Sequence, residues 1–296
     1  MKIIVAGASG FLGTALRRQL ADAGHAVVQL VRSSVESADQ SHWDPARGEL
    51  DPTALDGADT VINLGGAPIA HWPWTDSYKQ QILDSRLETT GTIARSIAQL
   101  EQQPALVNAS GINYYGDQGD REVDEDSPAG DEFLADVSRR WEDATQPAVD
   151  AGSRVVTMRT GVVLARSGGA LKTIMIPFRL GLGGKLGDGR QFFPTISLPD
   201  YLGVVTRLAT DSSMRGPYNV VAPVPSTNEE FTQALGKHLH RPTVIPVPRF
   251  AVEAAAGELS TLVFVSVHAV PRRLVEAGFE FQHPTIDEQL AAALQS

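Results

Sequence analysis

The sequence predicts an α/β fold: a doubly wound, mostly parallel sheet of the Rossmann type, followed by a smaller C-terminal lobe of mixed α/β structure. Three observations predict it. A β-branched apolar run opens the chain at residues 2–6 (KIIVA), and a glycine-spaced loop, Gly7-Ala-Ser-Gly10-Phe-Leu-Gly13, follows at once. Short apolar runs then alternate with stretches of helical periodicity as far as about residue 163. Continuous apolar strands are those buried on both faces. Strands alternating with helices join through right-handed crossovers into a parallel sheet.

Taken in order, residues 2–6 form the first strand. Residues 14–23 form a helix with Leu16 and Leu20 on one side, ended by Gly24. Strands follow at 26–31 (AVVQLV) and 59–64 (DTVINL), then a helix at 89–100 with Ile93, Ile97 and Leu100 as its apolar face. Strands at 105–109 (ALVNA) and 154–159 (RVVTMR) flank a helical stretch at 133–150. Beyond residue 163 the pattern weakens. A Gly-rich stretch at 181–189, one more strand at 218–221 and an apolar helix at 251–256 remain. The division expected is a dinucleotide-binding domain over 1–165, to which 198–222 returns, and a substrate-side lobe from 166–197 and 223–296.

Composition narrows the function classes. A net charge of −10 repels phosphate backbones, so nucleic acid is not an expected partner. The chain has no cysteine, which excludes disulfides, thiolate nucleophiles and cysteine-based zinc sites. No apolar run reaches the roughly 18 residues of a membrane span, and the opening apolar segment is only a strand long. A cytoplasmic protein without a membrane partner is expected.

The glycine loop carries the first functional reading. One glycine permits a tight turn, another lets backbone approach a pyrophosphate, and the third lets helix and strand pack closely. The backbone of Gly7, Ser9, Gly10, Phe11 and Leu12 would then hold the diphosphate at the helix N-terminus, where free N–H groups and the helix dipole favour an anion. The strand before and the helix after are the context the motif requires. The end of the 26–31 strand chooses the cofactor. NAD sites place an acid there for the ribose 2′-hydroxyl. Here the strand runs into Arg32-Ser33-Ser34, and the first acid is Glu36. Arg32 can grip a 2′-phosphate bidentately and Ser33 can add a hydroxyl, so NADP(H) is favoured over NAD(H). The alternative is an Arg32 that is simply solvated.

GASGFLG, LVRS, VINLGG, NASGINYYG and RTGVVL, in that order, resemble the extended short-chain dehydrogenase/reductases. The segments ILDSRLETT, SPAGDEFLADVSRRWE, PFRLGLGGKLGDGRQFFP and TNEEFTQALG, with the tail PRRLVEAGFEFQHPT, resemble more narrowly an epimerase-family subgroup, NAD-dependent epimerase/dehydratase-like with a small C-terminal domain of unknown function. The likeness runs through nearly the whole chain. It implies further cofactor contacts at Leu64, Gly65 and Gly66, at Arg86, at Ser110 beside the nicotinamide, and along Thr160 to Val162. It also implies a homodimer paired through sheet-flanking helices.

The chain departs from that family at its chemistry. The usual tyrosine general acid has a lysine four residues on, whose charge lowers the phenol pKa from about 10. None of the five tyrosines here has that lysine, and no lysine lies between Lys79 and Lys172. Alignment puts Phe133 or Leu134 at the tyrosine position, Val137 or Ser138 at the lysine position and Gly111 at the serine position. Tyr114, or else Tyr115, is the remaining candidate acid, with Asn113 as a hydrogen-bond donor. Two readings stay open: an NADP-dependent oxidoreductase or epimerase acting on an unidentified carbonyl or alcohol, and a non-catalytic NADP(H) sensor or scaffold.

Three weaker signals complete the reading. Eight acids between Asp117 and Glu132 are expected to be a solvated loop and not a metal site. His238 and His240 lie two apart, on different sides of a helix, and are not expected to share a metal. Arg179, Lys185 and Arg190 either hold an anionic substrate or are solvated.

Overall fold

The computed structural model describes residues 1–295. Strand β1 (Lys2–Ala6) leads into helix α1 (Phe11–Asp22), then β2 (Ala26–Val31), β3 (Gln40–Asp44), β4 (Glu49–Leu50) and β5 (Thr60–Asn63). Helix α2 (Asp76–Ala98) is followed by β6 (Ala105–Gly111), a short 3-10 turn (Ile112–Tyr115), β7 (Glu122–Val123), α3 (Phe133–Asp143) and α4 (Gln146–Asp150). Then come β8 (Val155–Thr160), β9 (Val162–Leu164), α5 (Gly169–Arg179), β10 (Thr195–Ser197), α6 (Leu198–Thr210) and β11 (Gly216–Val220). The remainder is α7 (Asn228–Leu239), α8 (Arg249–Ala256), α9 (Thr261–Phe264), β12 (His268–Ala269), α10 (Arg272–Glu276) and α11 (Ile286–Gln295).

The main sheet has eight strands in the order β11-β8-β6-β5-β1-β2-β3-β4. All its pairings are parallel except β3 with β4. The order reverses at β1, so the first crossover leaves a crevice between β1 and β5 at the strands' carboxyl ends, where ligands of such sheets bind. One core lies on each face. Ile3, Val5, Leu16, Ile62, Met158 and Val204 belong to one, and Ile4, Ala6, Leu30, Val61, Ile93 and Leu106 to the other. Alternate residues of β1 thus feed opposite layers, which is why that run contains no polar residue after Lys2.

Several elements differ from expectation for identifiable reasons. The β3–β4 ribbon was not anticipated because QSHWD offers one fully buried apolar side chain, Trp43, and no alternation. The 133–150 stretch is two helices, since Pro147 opens α4 and cannot donate into a continuous helix. Helix α2 begins thirteen residues earlier than its apolar stripe suggests, because Thr75 caps it by accepting from the Tyr78 N–H (3.2 Å). Past residue 163, β9 leaves the main sheet and pairs with β10. Helix α6 and β11 return to the main sheet, β11 pairing with β8. Leu171, Met175, Phe178, Phe231, Leu235 and Leu290 form a separate core under α5, α7 and α11. Among the described residues no helix is long and apolar enough to cross a membrane.

Candidate cofactor and substrate site

The glycine loop turns where the sequence requires. Gly7 has φ +78°, and a Cβ there would sit 2.9 Å from the Leu64 carbonyl carbon. A Cβ on Gly13 would lie 2.1 Å from the Gly7 carbonyl oxygen, so the third glycine seats the helix on the turn. The Gly10 N–H donates to the Gly7 carbonyl (3.1 Å). No side chain caps α1, and no acid stands in its first turn. Ser9 and Gly10 are exposed while Phe11 and Leu12 are half-buried. The first-turn amides thus face outward without a protein acceptor, the arrangement a diphosphate fills.

At the end of β2, Arg32 and Ser33 are exposed. The Arg32 guanidinium makes no hydrogen bond or ion pair with any described residue. Glu36, the first acid, lies beyond the strand, where its backbone N–H donates to Gln40 (2.8 Å).

The β5 end is built by α2. Asn63 is buried, donates to Thr90 (3.0 Å) and Asn108 (2.8 Å), and accepts from the Gly65 N–H (3.0 Å). Trp141 of α3 donates to the same Thr90 hydroxyl (2.8 Å). This closed polar network fixes the ends of β5 and β6 relative to both helices. Ser85 and Arg86 then clamp the next residue from two sides: the Ala67 N–H donates to Ser85 Oγ (2.9 Å), and its carbonyl accepts from Arg86 (3.2 Å). Arg86 also donates to the Ile82 carbonyl (2.8 Å) and lies over the Trp141 ring (4.7 Å). It pairs with neither Asp84 nor Glu88. Burial without a carboxylate partner pulls its pKa down to about 10. A Cβ on Gly66 would sit 3.3 Å from the guanidinium carbon, so Gly66 passes directly over Arg86, while Gly65 packs against Thr89 and Leu64 against Gly7.

On the other side of the crevice the structure joins residues that sequence reasoning did not. Glu142 of α3 accepts a bidentate pair from Arg159 (2.9 Å each) and a third bond from Ser110 Oγ (2.7 Å). Ser110, expected beside the nicotinamide, is buried and directs its hydroxyl into this cluster. Arg159 donates further to Tyr115 Oη (2.9 Å) and to the Glu125 carbonyl (3.2 Å), and lies 3.5 Å over the Tyr114 ring. The Tyr115 hydroxyl donates a hydrogen bond to Asn219 Oδ1 (2.7 Å). Burial pushes the Tyr115 phenol up to about 12, against the opposing pull of Arg159. Burial works against the Arg159 charge as well, but Glu142 outweighs it and holds the guanidinium above its ordinary value. The one forewarning in the sequence was polar residues inside apolar strand runs: Asn63 in TVINL, Asn108 in ALVNA and Arg159 in RVVTMR.

A cleft of about 170 Å³ opens at the carboxyl end of β6, in front of α3. Trp74, Phe133, Leu134, Ala135 and Val265 form its apolar wall, and Asn113, Glu132, Glu258 and Thr261 its polar edge. Tyr114 does not line it. Of the positions aligned with the usual serine, tyrosine and lysine, Phe133 and Leu134 line this cleft, and a Cβ on Gly111 would lie 3.4 Å from Ser138 Oγ on the same helix.

In the acidic segment after the 3-10 turn, Asp117, Asp120, Glu122, Asp126, Asp131 and Glu132 are exposed, as expected of a solvated stretch. Asp124, Glu125 and Asp126 are also tied to the C-terminal part of the chain. β7 pairs with β12, Asp124 and Asp126 bridge Arg272, Asp126 also bridges Arg273, and Glu125 is buried, accepting from the Asn219 N–H (3.0 Å). Among the described residues no cluster could hold a metal ion. His238 lies beside Asp287, and His240 ends α7 with φ 53°. Lys185 is answered by Glu229 (3.0 Å), while Arg179 and Arg190 are exposed.

A parallel sheet reversing at β1, a bare glycine loop on α1 and a cleft beside α3 define an extended short-chain dehydrogenase/reductase fold with a dinucleotide site. Residues 3–137 match the NAD dependent epimerase/dehydratase family, and residues 247–293 match a domain of unknown function, DUF1731. The epimerase family protein Mb2239 of Mycobacterium bovis is 41% identical over 292 residues, 98% of this chain and 97% of that one. A crystal structure of the human epimerase family protein SDR39U1 (isoform 2) with NADPH is 35% identical, with TM-score 0.91 and full coverage of both chains. A structure described as the nucleoside-diphosphate sugar epimerase from Corynebacterium glutamicum is 34% identical, with TM-score 0.83, covering 99% of this chain and 58% of that one. The chain belongs to the epimerase family, as an SDR39U1-like member carrying both segments.

Proposed function

We propose that this protein binds NADP(H) and uses it to reduce a small carbonyl substrate in the cleft beside α3, or to oxidise the corresponding alcohol, without a Tyr–Lys relay. The observation that carries the reading is Arg32: an exposed, uncommitted guanidinium at the end of β2, with Ser33 next to it and no acid on the strand. A carboxylate there would repel a 2′-phosphate; an arginine binds it. The human relative crystallised with NADPH supports the same assignment.

When bound, the cofactor supplies a hydride at the nicotinamide ring. This chain's residues do the rest. The first-turn amides of α1 hold the diphosphate, and Arg32 with Ser33 holds the 2′-phosphate. Ser85 and Arg86 keep the Leu64–Ala67 backbone in place. Asn113 lines the cleft with its side-chain amide unengaged by any described residue, and donates to the carbonyl oxygen. Tyr114 is packed flat on Arg159 outside the cleft lining, so the proton on the product oxygen comes from water.

Titration with NADPH and with NADH, followed by cofactor fluorescence, tests the reading. NADPH should bind at least about tenfold more tightly, the worth of one charge-assisted contact. Equal affinities would remove the 2′-phosphate argument. A second reading, a sensor that binds NADP(H) without turnover, is favoured by Gly111, Leu134 and Ser138 at the relay positions. Tight NADPH binding with no oxidation across a broad carbonyl panel would select it.

A further inference from the structure

The cleft beside α3 has a wall, a size and a charge that together describe its occupant. Trp74 and Phe133 meet edge to face at 5.8 Å, and Leu134, Ala135 and Val265 continue the apolar surface. No arginine or lysine lines it. Its charged groups are carboxylates. Glu132 accepts the Asp117 N–H (2.9 Å), and Glu258 is paired with Lys79. Lys79 stands at the edge of this wall, 5.7 Å over the Phe133 ring and paired with Glu258.

Sites for nucleoside diphosphates set arginine, lysine or free main-chain N–H groups against the phosphates. Here the lining offers only the first-turn N–H groups of α3, and an anion on them would stand beside the Glu132 and Glu258 carboxylates. Arg179, Lys185 and Arg190 do not reach this lining, and Lys185 is committed to Glu229. Size gives the same answer. The cleft holds about 170 Å³, and an apolar cavity of about 150 Å³ accommodates benzene. One ring with a small substituent matches that space; a nucleotide bearing two phosphates and a sugar is several times larger and would extend out of the mouth of the cleft. The uncommitted side-chain donor on the lining is the Asn113 amide, since the Thr261 hydroxyl donates to the Glu258 carbonyl (2.8 Å), and the first-turn N–H groups of α3 at Phe133, Leu134 and Ala135 stand beside it.

We infer that the substrate is an uncharged, largely apolar carbonyl compound about one ring in size, stacked against Trp74 and Phe133 with its oxygen on Asn113, and not a sugar nucleotide. The inference rests on the proposed reductase reading of this cleft. In the reduction, the carbonyl π bond opens, its carbon gains hydride from NADPH and its oxygen gains a proton from water, giving alcohol, NADP⁺ and a hydroxide ion released to solvent.

Binding is measured on the full chain with NADP⁺ present, by calorimetry and by ligand-observed NMR, using acetophenone and UDP-glucose as probes. Acetophenone should bind and UDP-glucose should fail to displace it. Leu134→Trp, which fills the cleft, should weaken acetophenone at least about tenfold, and Asn113→Ala by about three- to tenfold. Thr261→Arg, on the exposed rim, should also weaken it, and serves if Leu134→Trp lowers the melting temperature. UDP-glucose binding more tightly than acetophenone, or an acetophenone affinity indifferent to both cleft-filling changes, would overturn the inference. NADPH titration of the same samples separates the two claims. Lost NADPH binding defeats the cofactor reading; intact NADPH binding without acetophenone binding defeats the substrate class alone.

Discussion

Arg159 shows how much one side chain can organise. Its guanidinium is 5% exposed and meets a carboxylate, a phenol, a main-chain carbonyl and a tyrosine face. Removing one partner of such a pair leaves a buried charge, which costs about 3–5 kcal/mol, whereas an apolar replacement of both is often neutral. Glu142→Ala should therefore destabilise by about that amount in a denaturant melt, and Glu142→Leu with Arg159→Met should recover most of it. If the double variant is as unstable as the sum of its singles, the pair is not acting as a unit. Arg32 is the opposite case, a cation with no structural duty. Arg32→Ala should leave the melt unchanged and weaken NADPH about ten- to a hundredfold, with NADH within about threefold. Equal losses for the two cofactors would assign Arg32 a different role. Tyr114→Phe should keep turnover within about threefold; a larger loss with NADPH affinity intact would make the phenol the acid after all.

At the scale of elements, the β1–loop–α1 unit was legible because most constraints on it are local. The turn and the helix seat depend on neighbours within seven residues, while the close approach at Gly7 is to Leu64 and Gly65 at the end of β5. Gly13→Ala places a methyl 2.1 Å from the Gly7 oxygen, and no flexible side chain is there to move. It should abolish cofactor binding and lower the melting temperature by several degrees, while Gly24→Ala, with nothing within 4 Å but φ +81°, should only destabilise mildly. Helix α3 was half legible. Its position opposite Gly111 followed from alignment, and so did the loss of the tyrosine and lysine. Its partnership with Arg159 did not follow, because Glu142 and Arg159 are seventeen residues apart and belong to elements whose contact is decided by packing.

Across the whole molecule, the acidic segment ties the sheet to the C-terminal unit. Glu125 accepts from Asn219 on β11, and Asp126 meets Arg273 at the start of α10. Burial raises the Glu125 carboxyl, and the backbone N–H groups of Asn219 and Arg273 only partly offset it. Because these bonds cross from the sheet to residues 247–293, the chain should unfold in a single transition. Truncation before residue 247 should expose β7 and β11 and lower the melting temperature sharply. Two separate transitions in the full chain would argue against this coupling. Alkaline stability gives a second global test. An unfolded tyrosine ionises near pH 10, whereas folded Tyr115 holds its proton to about 12. Between those values the unfolded chain has lost a proton that the native state keeps. Stability is therefore complete below about pH 10 and falls as pH rises toward 12, by at most about 1.4 kcal/mol per unit from this group. Tyr201, also buried and raised, adds to the same slope. Tyr115→Phe should flatten the fall measured by urea melts at stepped pH.

The sequence by itself determined the sheet's first crossover, the bare amides at its mouth, the arginine and serine that follow β2 where NAD sites place an acid, and the lack of a lysine four residues after any tyrosine. These are statements about residue type at fixed short spacing, and short-range sterics and charge enforce them. Only the tertiary structure decided that Ser110 turns to Glu142, that the Ser85–Arg86 pair clamps Ala67, that Asp124, Glu125 and Asp126 tie the acidic segment to the C-terminal part, and that the cleft beside α3 has an apolar wall with no arginine or lysine in its lining. Each of those depends on side chains brought together from distant parts of the chain, and burial then forces every polar group among them to find a partner.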